Sequence, residues 1–316
     1  MRIVHTPVLV EETVRYLAPR GPGELFVDAT LGEGGHSYAF LSRFADLRVL
    51  GIDADGEIQQ RAREWLAEFG GRVRFFHGWS QEYFGSLPVD GERPDTILMD
   101  LGISMYHYEE SGRGFSFRKD EALDMRIDAA GGETAADLIA RLSEKDLADM
   151  LYHNAEERYS RRIARAIVEN RSRGAITGTA ALAEIVSRAV PAAYRRGRSH
   201  PATKAFQALR VRTNQELERL PGFLESALSA LKIGGRMGVI TFHSLEDRGV
   251  KIFFREKNKV CVCPPETPIC RCEGRRVNIL TRKAVKPGPE EVRGNPPSRS
   301  ARLRVVEKIR EEDRRP

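Results

Sequence analysis

The 316-residue chain has no apolar run approaching the roughly 18 residues that a membrane span needs. Its first residues, Met1-Arg2-Ile3-Val4-His5, begin no secretory signal. Both absences point to a cytoplasmic protein with no membrane partner. Cysteine is scarce: the four residues all lie between Cys261 and Cys272, too clustered to staple a secreted fold. No internal repeat is visible, which argues against a solenoid or propeller. Neither charge sign dominates, since 51 basic against 45 acidic side chains leave only +6, a weak pointer to an anionic partner. With 41% hydrophobic and 30% charged residues, the composition excludes a disordered tail or a fibre.

The small net charge is unevenly placed. The stretch 271–315 carries 14 basic and seven acidic side chains, so it is +7 while the remainder is close to neutral. A basic end on a balanced body suggests contact with phosphates.

The first hundred residues alternate short β-branched runs with longer stretches of helical period, the pattern of an α/β fold. Strands are predicted at 24–28, 48–53, 72–76 and 96–100, with helices at 37–44 and 56–69. Helical spacing without strands then fills 135–170 and 179–190, so 119–198 is expected to be an all-helical insertion between core segments 1–118 and 199–316. A helix over 205–231 leads to a fifth strand at 235–242. Two last runs, 277–285 and 302–308, are expected to pair antiparallel at one edge.

The sharpest local signal is Asp28-Ala29-Thr30-Leu31-Gly32-Glu33-Gly34-Gly35-His36, a glycine-rich turn between a strand and a helix. Glycines there let backbone N–H groups approach a ligand closely. Asp53 ends the next strand, where a carboxylate can accept both hydroxyl protons of a ribose. A nicotinamide dinucleotide and S-adenosylmethionine both satisfy this layout. Charge favours the second, because Asp28 and Glu33 would repel a pyrophosphate and attract an ammonium or a sulfonium. The alternative is that Asp28 merely caps the turn.

Further along, Asp100-Leu101-Gly102-Ile103-Ser104 closes the fourth strand and is followed by Met105-Tyr106-His107. The fifth runs into His243-Ser244-Leu245-Glu246-Asp247-Arg248, in which Ser244 and Asp247 also have the spacing of a helix cap. The segment containing Cys261, Cys263, Cys270 and Cys272 either stays reduced or holds a structural zinc, and no catalytic metal is expected. Phe115 and Phe117 either stack on a base or pack in a core.

The glycine loop and the Asp100–Ser104 turn are followed in order by Arg113-Gly114-Phe115-Ser116-Phe117, Leu123-Asp124-Met125-Arg126 and His200-Pro201-Ala202-Thr203-Lys204-Ala205-Phe206-Gln207-Ala208-Leu209-Arg210. Phe242-His243-Ser244-Leu245-Glu246-Asp247-Arg248 and Asn295-Pro296-Pro297-Ser298-Arg299-Ser300-Ala301 complete the series. Together these resemble the MraW (RsmH) family, bacterial methyltransferases of the cytosine N4 amino group in small-subunit ribosomal RNA.

The resemblance implies a Rossmann-type S-adenosylmethionine methyltransferase core with an inserted all-helical domain for substrate recognition. By motif, the implied cofactor contacts are Gly34, Gly35, His36, Asp53, Trp79, Asp100 and His107. Family members commonly read Asp-Leu-Gly-Val-Ser-Ser with a Gln shortly after, where this chain has Met105 and His107; imidazole can replace an amide as donor or acceptor. Asp100, Ser104 and His243 are the candidates for shaping the amino-group pocket. The implied partner is small-subunit ribosomal RNA within the small subunit, gripped by 194–200 and the basic end. The alternatives are a related methyltransferase acting on DNA or protein, and a ribosome-assembly factor with a vestigial cofactor pocket.

Overall fold

The computed structural model describes residues 6–88, 91–197, 199–261 and 274–311. The chain divides into two compact units, Met1–Ile103 with Leu220–Pro316, and Ser104–Arg219.

The first unit is built on a seven-stranded sheet. Its strands are β1 (Leu25–Asp28), β2 (Arg48–Asp53), β3 (Val73–His77), β4 (Thr96–Asp100), β5 (Arg236–Thr241), β6 (Val277–Ile279) and β7 (Arg302–Lys308). They lie in the order β3-β2-β1-β4-β5-β7-β6. The first five are parallel, and β7 runs antiparallel to both β5 and β6.

Alternation along each strand divides its side chains between two cores. Leu25, Val27, Ile97, Met99, Met237 and Val239 pack on one face with Leu220, Leu224 and Leu228 of one helix and Val250 and Phe254 of another. Phe26, Leu98, Ile240, Leu303 and Val305 pack on the other with Leu17, Phe40, Leu41 and Leu66. Both faces are covered, which is why the central strands read as continuous apolar runs in the sequence.

The second unit is helical. Buried Leu138, Leu147, Leu151, Ile163, Ile167, Leu182, Val186, Phe206 and Leu209 come from helices within 135–213. The sequence placed the helical stretch at 119–198, whereas this compact unit runs from Ser104 to Arg219.

The run 205–231, expected as one helix, is two: Thr203–Thr213 and Glu216–Ala230. Gln215 adopts the left-handed region at φ 52°. Asn214 holds the break, donating from Nδ2 to Met125 O (2.8 Å) and accepting from Ile127 N (2.8 Å). At the sheet's edge, strand pairing of 277–285 stops at Ile279, and only Val285 bridges back to Leu303.

Candidate active site

From β1 the chain winds outward to β2 and β3, and from β4 it winds the other way to β5. The carboxyl ends of β1 and β4 therefore part at a switch point, the position where open parallel sheets leave a ligand crevice. Asp28, Asp53 and Asp100 are the last residues of β1, β2 and β4.

The glycine loop leaves β1 through a backbone that side chains resist. Gly32 and Gly34 lie in the left-handed region, at φ 54° and 84°. Gly34 caps the helix Gly35–Arg43. Asp53 ties the loop to β2, its Oδ2 accepting from Gly32 N (2.7 Å) while Oδ1 accepts from Asp55 N (2.9 Å). Gly35 meets Pro7, whose Cδ would lie 3.0 Å from an added Cβ.

Asp28, His36 and Asp100 come together beside this loop. The Asp28 side chain is buried, and its Oδ2 accepts from Ser37 Oγ (2.7 Å). Burial pushes its carboxyl above the ordinary range, opposed by the nearby His36 and the Ser37 hydrogen bond, while Asp100 pushes it further up. His36 is 6% exposed, and its Nε2 lies 3.6 Å from Asp100 Oδ2. Asp28 Oδ1 and both ring nitrogens of His36 have no hydrogen-bond partner among the described residues. Asp100 is fixed through its backbone, N–H to Thr30 Oγ1 at 2.6 Å. Among the described residues its carboxylate receives nothing nearer than His36 and the Gly102 N–H at 3.5 Å.

Buried polar atoms are ordinarily paired, so three orphaned nitrogens and oxygens in one crevice indicate a polar ligand. The acidic ring suits one carrying positive charge, because a nearby cation favours the ionised form of a buried carboxyl. Glu33 does not join this ring: although only 2% exposed, it is paired with Arg61, Nε to Oε1 at 3.1 Å. The argument from Glu33 thus falls away, and Asp28, Asp53 and Asp100 carry it.

Trp79 follows the end of β3, where Gly78 N donates to Asp53 O (2.9 Å). It is half-buried at the start of Ser80–Ser86, with its N–H on Glu82 Oε2 (3.2 Å).

The segment after β5 is organised differently from the expected cap. His243, not Ser244, is the N-cap of Ser244–Lys257, its Nδ1 accepting from Glu246 N at 3.4 Å. Buried Glu246 reaches back to the N–H groups of Phe242 (2.9 Å) and His243 (3.3 Å). His243 Nε2 lies 2.9 Å from Glu246 Oε1, close enough for a charge contact without hydrogen-bond alignment. The strand ends also touch: a Cβ on Gly102 would stand 2.5 Å from Phe242 Cε2, so glycine alone fits there. Thr30 and Ser37 stood unremarked in or beside the loop motif, and Arg61 and Pro7 gave no signal at all.

Ser104 and His107 belong to the second unit. Ser104 Oγ caps Met105–Glu109 by accepting from Tyr106 N (3.2 Å), and His107 is 4% exposed with its ring 5.1 Å from Phe115. Phe115 is buried, whereas Phe117 lies 4.6 Å from the exposed His200 ring. In the same unit Arg195 and Arg196 are exposed. Just before them, burial and the Glu157 carboxylate push the Tyr194 phenol up to about 12. Arg198 and Cys263, Cys270 and Cys272 lie outside the described residues; Cys261 is exposed. Among the described residues no helix is long and apolar enough to cross a membrane.

A doubly covered parallel sheet with an antiparallel β7, a glycine loop after β1 and acidic strand ends define a Rossmann-type S-adenosylmethionine-dependent methyltransferase. The chain belongs to the MraW methylase family, whose model matches residues 2–309. A protein of Treponema denticola named ribosomal RNA small subunit methyltransferase H is 56% identical over 310 residues, 98% of each chain. Proteins of the same name from Treponema pallidum and Syntrophobacter fumaroxidans are 43% and 49% identical. They align with 97% and 96% of this chain, and with 93% and 96% of their own lengths.

Proposed function

We propose that this chain methylates the N4 amino group of a cytidine in small-subunit ribosomal RNA, in the cytoplasm, within the small ribosomal subunit. The observation that carries the reading is the buried, incompletely hydrogen-bonded Asp28–His36–Asp100 cluster at the switch point of a MraW-family chain. The names of the relatives support ribosomal RNA as the substrate class. The ordered motifs from Asp28 to Ala301 support the N4 position.

When bound, S-adenosylmethionine supplies a methyl group on a positively charged sulfur. Gly34, Gly35 and His36 would hold its methionine end, Asp53 the ribose hydroxyls, Trp79 an aromatic contact, and Asp100 the region where both reactants meet. His107 stands at the family's glutamine position and offers a ring nitrogen. The acceptor nitrogen is a poor nucleophile because its lone pair is delocalised into the cytosine ring. Acceptors on its hydrogens favour localisation of that pair, and Asp100, Ser104 and His243 are assigned this task. Alignment at about 3 Å can supply roughly 7–11 kcal/mol, so positioning outweighs a dedicated base, and the surplus N4 proton leaves to water after the methyl has arrived. A stacked base cannot reach a buried cofactor, so the nucleotide enters flipped out, with the helical unit recognising its surroundings.

Mass mapping of ribosomal RNA from cells lacking the protein tests the reading. The expected result is loss of one N4-methylcytidine from the small-subunit RNA, restored by the wild-type chain. Unaltered RNA, with transfer by the purified protein to DNA or a polypeptide, would assign it to another substrate; no transfer at all would leave an assembly factor.

The cofactor assignment has its own test. Asp53→Ala is expected to lose hydrogen bonds worth roughly 1.5–3 kcal/mol, about a 10- to 150-fold loss of affinity for S-adenosylhomocysteine by calorimetry. Undiminished affinity would remove Asp53 from the ribose.

A further inference from the structure

Among the described cations of the basic end, two sets differ in what they pair with. Arg276 pairs with Glu225 (2.9 Å), and Arg304 and Arg302 pair with Asp247 (2.7 and 3.0 Å). Lys308 is buried, with Nζ on Leu231 O (2.8 Å) and beside Glu311 (2.7 Å). These charges are committed within the fold. Arg282, Lys283, Lys286 and Arg299 form the second set: all four are exposed, and their side chains make no ion pair or hydrogen bond among the described residues. The acids beside them are occupied elsewhere, Glu291 by the Leu9 N–H (2.7 Å) and Glu290 by Arg293 (3.8 Å).

Strand register places this second set. Asp100 pairs with Ile240, Ile240 with Leu303, and Leu303 bridges to Val285. One line therefore runs across the sheet from the crevice to the 282–286 segment, three strand spacings or about 14 Å. Because β7 is antiparallel to β5, its beginning, and Arg299 just before it, lie at the edge where β1, β2 and β4 end in aspartates.

The two halves of that edge have opposite chemistry. The crevice is acidic, which suits a cationic cofactor and repels phosphates. A nucleic acid delivering a base there must hold its backbone to one side; the segment that carries three of these cations meets that edge at Val285, and the fourth, Arg299, just precedes β7. We propose that Arg282, Lys283, Lys286 and Arg299 form the track that binds the phosphates of the RNA flanking the methylated nucleotide. The inference rests on the RNA reading above and adds to it the surface that grips the backbone.

The test replaces all four residues by glutamine (Arg282→Gln, Lys283→Gln, Lys286→Gln, Arg299→Gln) and measures filter binding to an oligocytidylate across a salt series. Each lost phosphate contact on a single strand removes about 0.7 from the slope of log affinity against log salt, so the expected flattening is up to about three. Affinity for S-adenosylhomocysteine and the thermal midpoint are expected to stay at wild-type values. An unchanged slope, with wild-type RNA binding intact, overturns this surface and spares the RNA reading. A wild-type protein that binds neither oligocytidylate nor the small ribosomal subunit overturns both. Polyglutamate competing with oligocytidylate at equal charge would assign the surface to an acidic protein and overturn the proposal.

Discussion

Asp100→Ala is expected to weaken cofactor binding and slow methyl transfer together, by at least about 100-fold in single-turnover rate. The carboxylate ends β4, the central strand on one side of the switch point, with its backbone fixed by Thr30. It lies against His36 and shares the crevice with Asp28, where the proposed function brings cofactor and acceptor together. Ser104→Ala and His243→Ala are expected instead to lower turnover and leave cofactor affinity nearly intact. Both residues also cap helices, so each variant forfeits about 1 kcal/mol of stability, and thermal midpoints must accompany the kinetics. Calorimetry beside single-turnover transfer separates the effects. If His243→Ala weakens the cofactor and spares transfer, the end of β5 does not border the base. If Asp100→Ala retains full cofactor affinity, its carboxylate serves the acceptor alone.

Strands 48–53, 96–100 and 302–308 were legible to the residue, because the first two are short apolar runs bounded by turn or charged residues and the third opens on charged–apolar alternation. Strand order was not, since it depends on which faces bury against which helices. The break at Gln215 left no trace because no glycine or proline marks it; Asn214 makes it through contacts with residues nearly ninety positions away. The acidic strand ends were readable because a carboxyl end of a parallel strand faces the crevice whatever the order. Glu33 was misjudged for the opposite reason: its neutralising partner, Arg61, sits 28 positions away on the helix Gly56–Trp65. Counting charges found the basic end, but only the antiparallel register of β5, β7 and β6 shows which cations the fold consumes.

Asp247 is the clearest instance of that consumption, and Asp247→Asn is expected to destabilise the first unit by about 3–5 kcal/mol, the cost of leaving a buried charge without its partner. The carboxylate and the Arg304 guanidinium are each 11% exposed, and Oδ1 accepts from Nε at 2.7 Å while Oδ2 takes Arg304 (3.1 Å) and Arg302 (3.0 Å). Burial by itself would raise the carboxyl's pKa; the hydrogen bonds and charges of the two arginines outweigh it and hold the group below its ordinary 3.8. A group depressed in the folded state contributes stability that is present above its unfolded pKa and lost as pH falls through the folded value. The wild type is thus expected to lose this contribution below about pH 4, where the gap to the asparagine variant closes. Denaturant unfolding at pH 7 and in acid measures both, and equal stability at pH 7 would show that the pair merely offsets its own desolvation. The pair also joins the first turn of the helix after β5 to the first residues of β7. Breaking it loosens the segment that carries His243, so the variant should lose transfer rate before it loses affinity for S-adenosylhomocysteine, which the proposed function places on the ends of β1, β2 and β4.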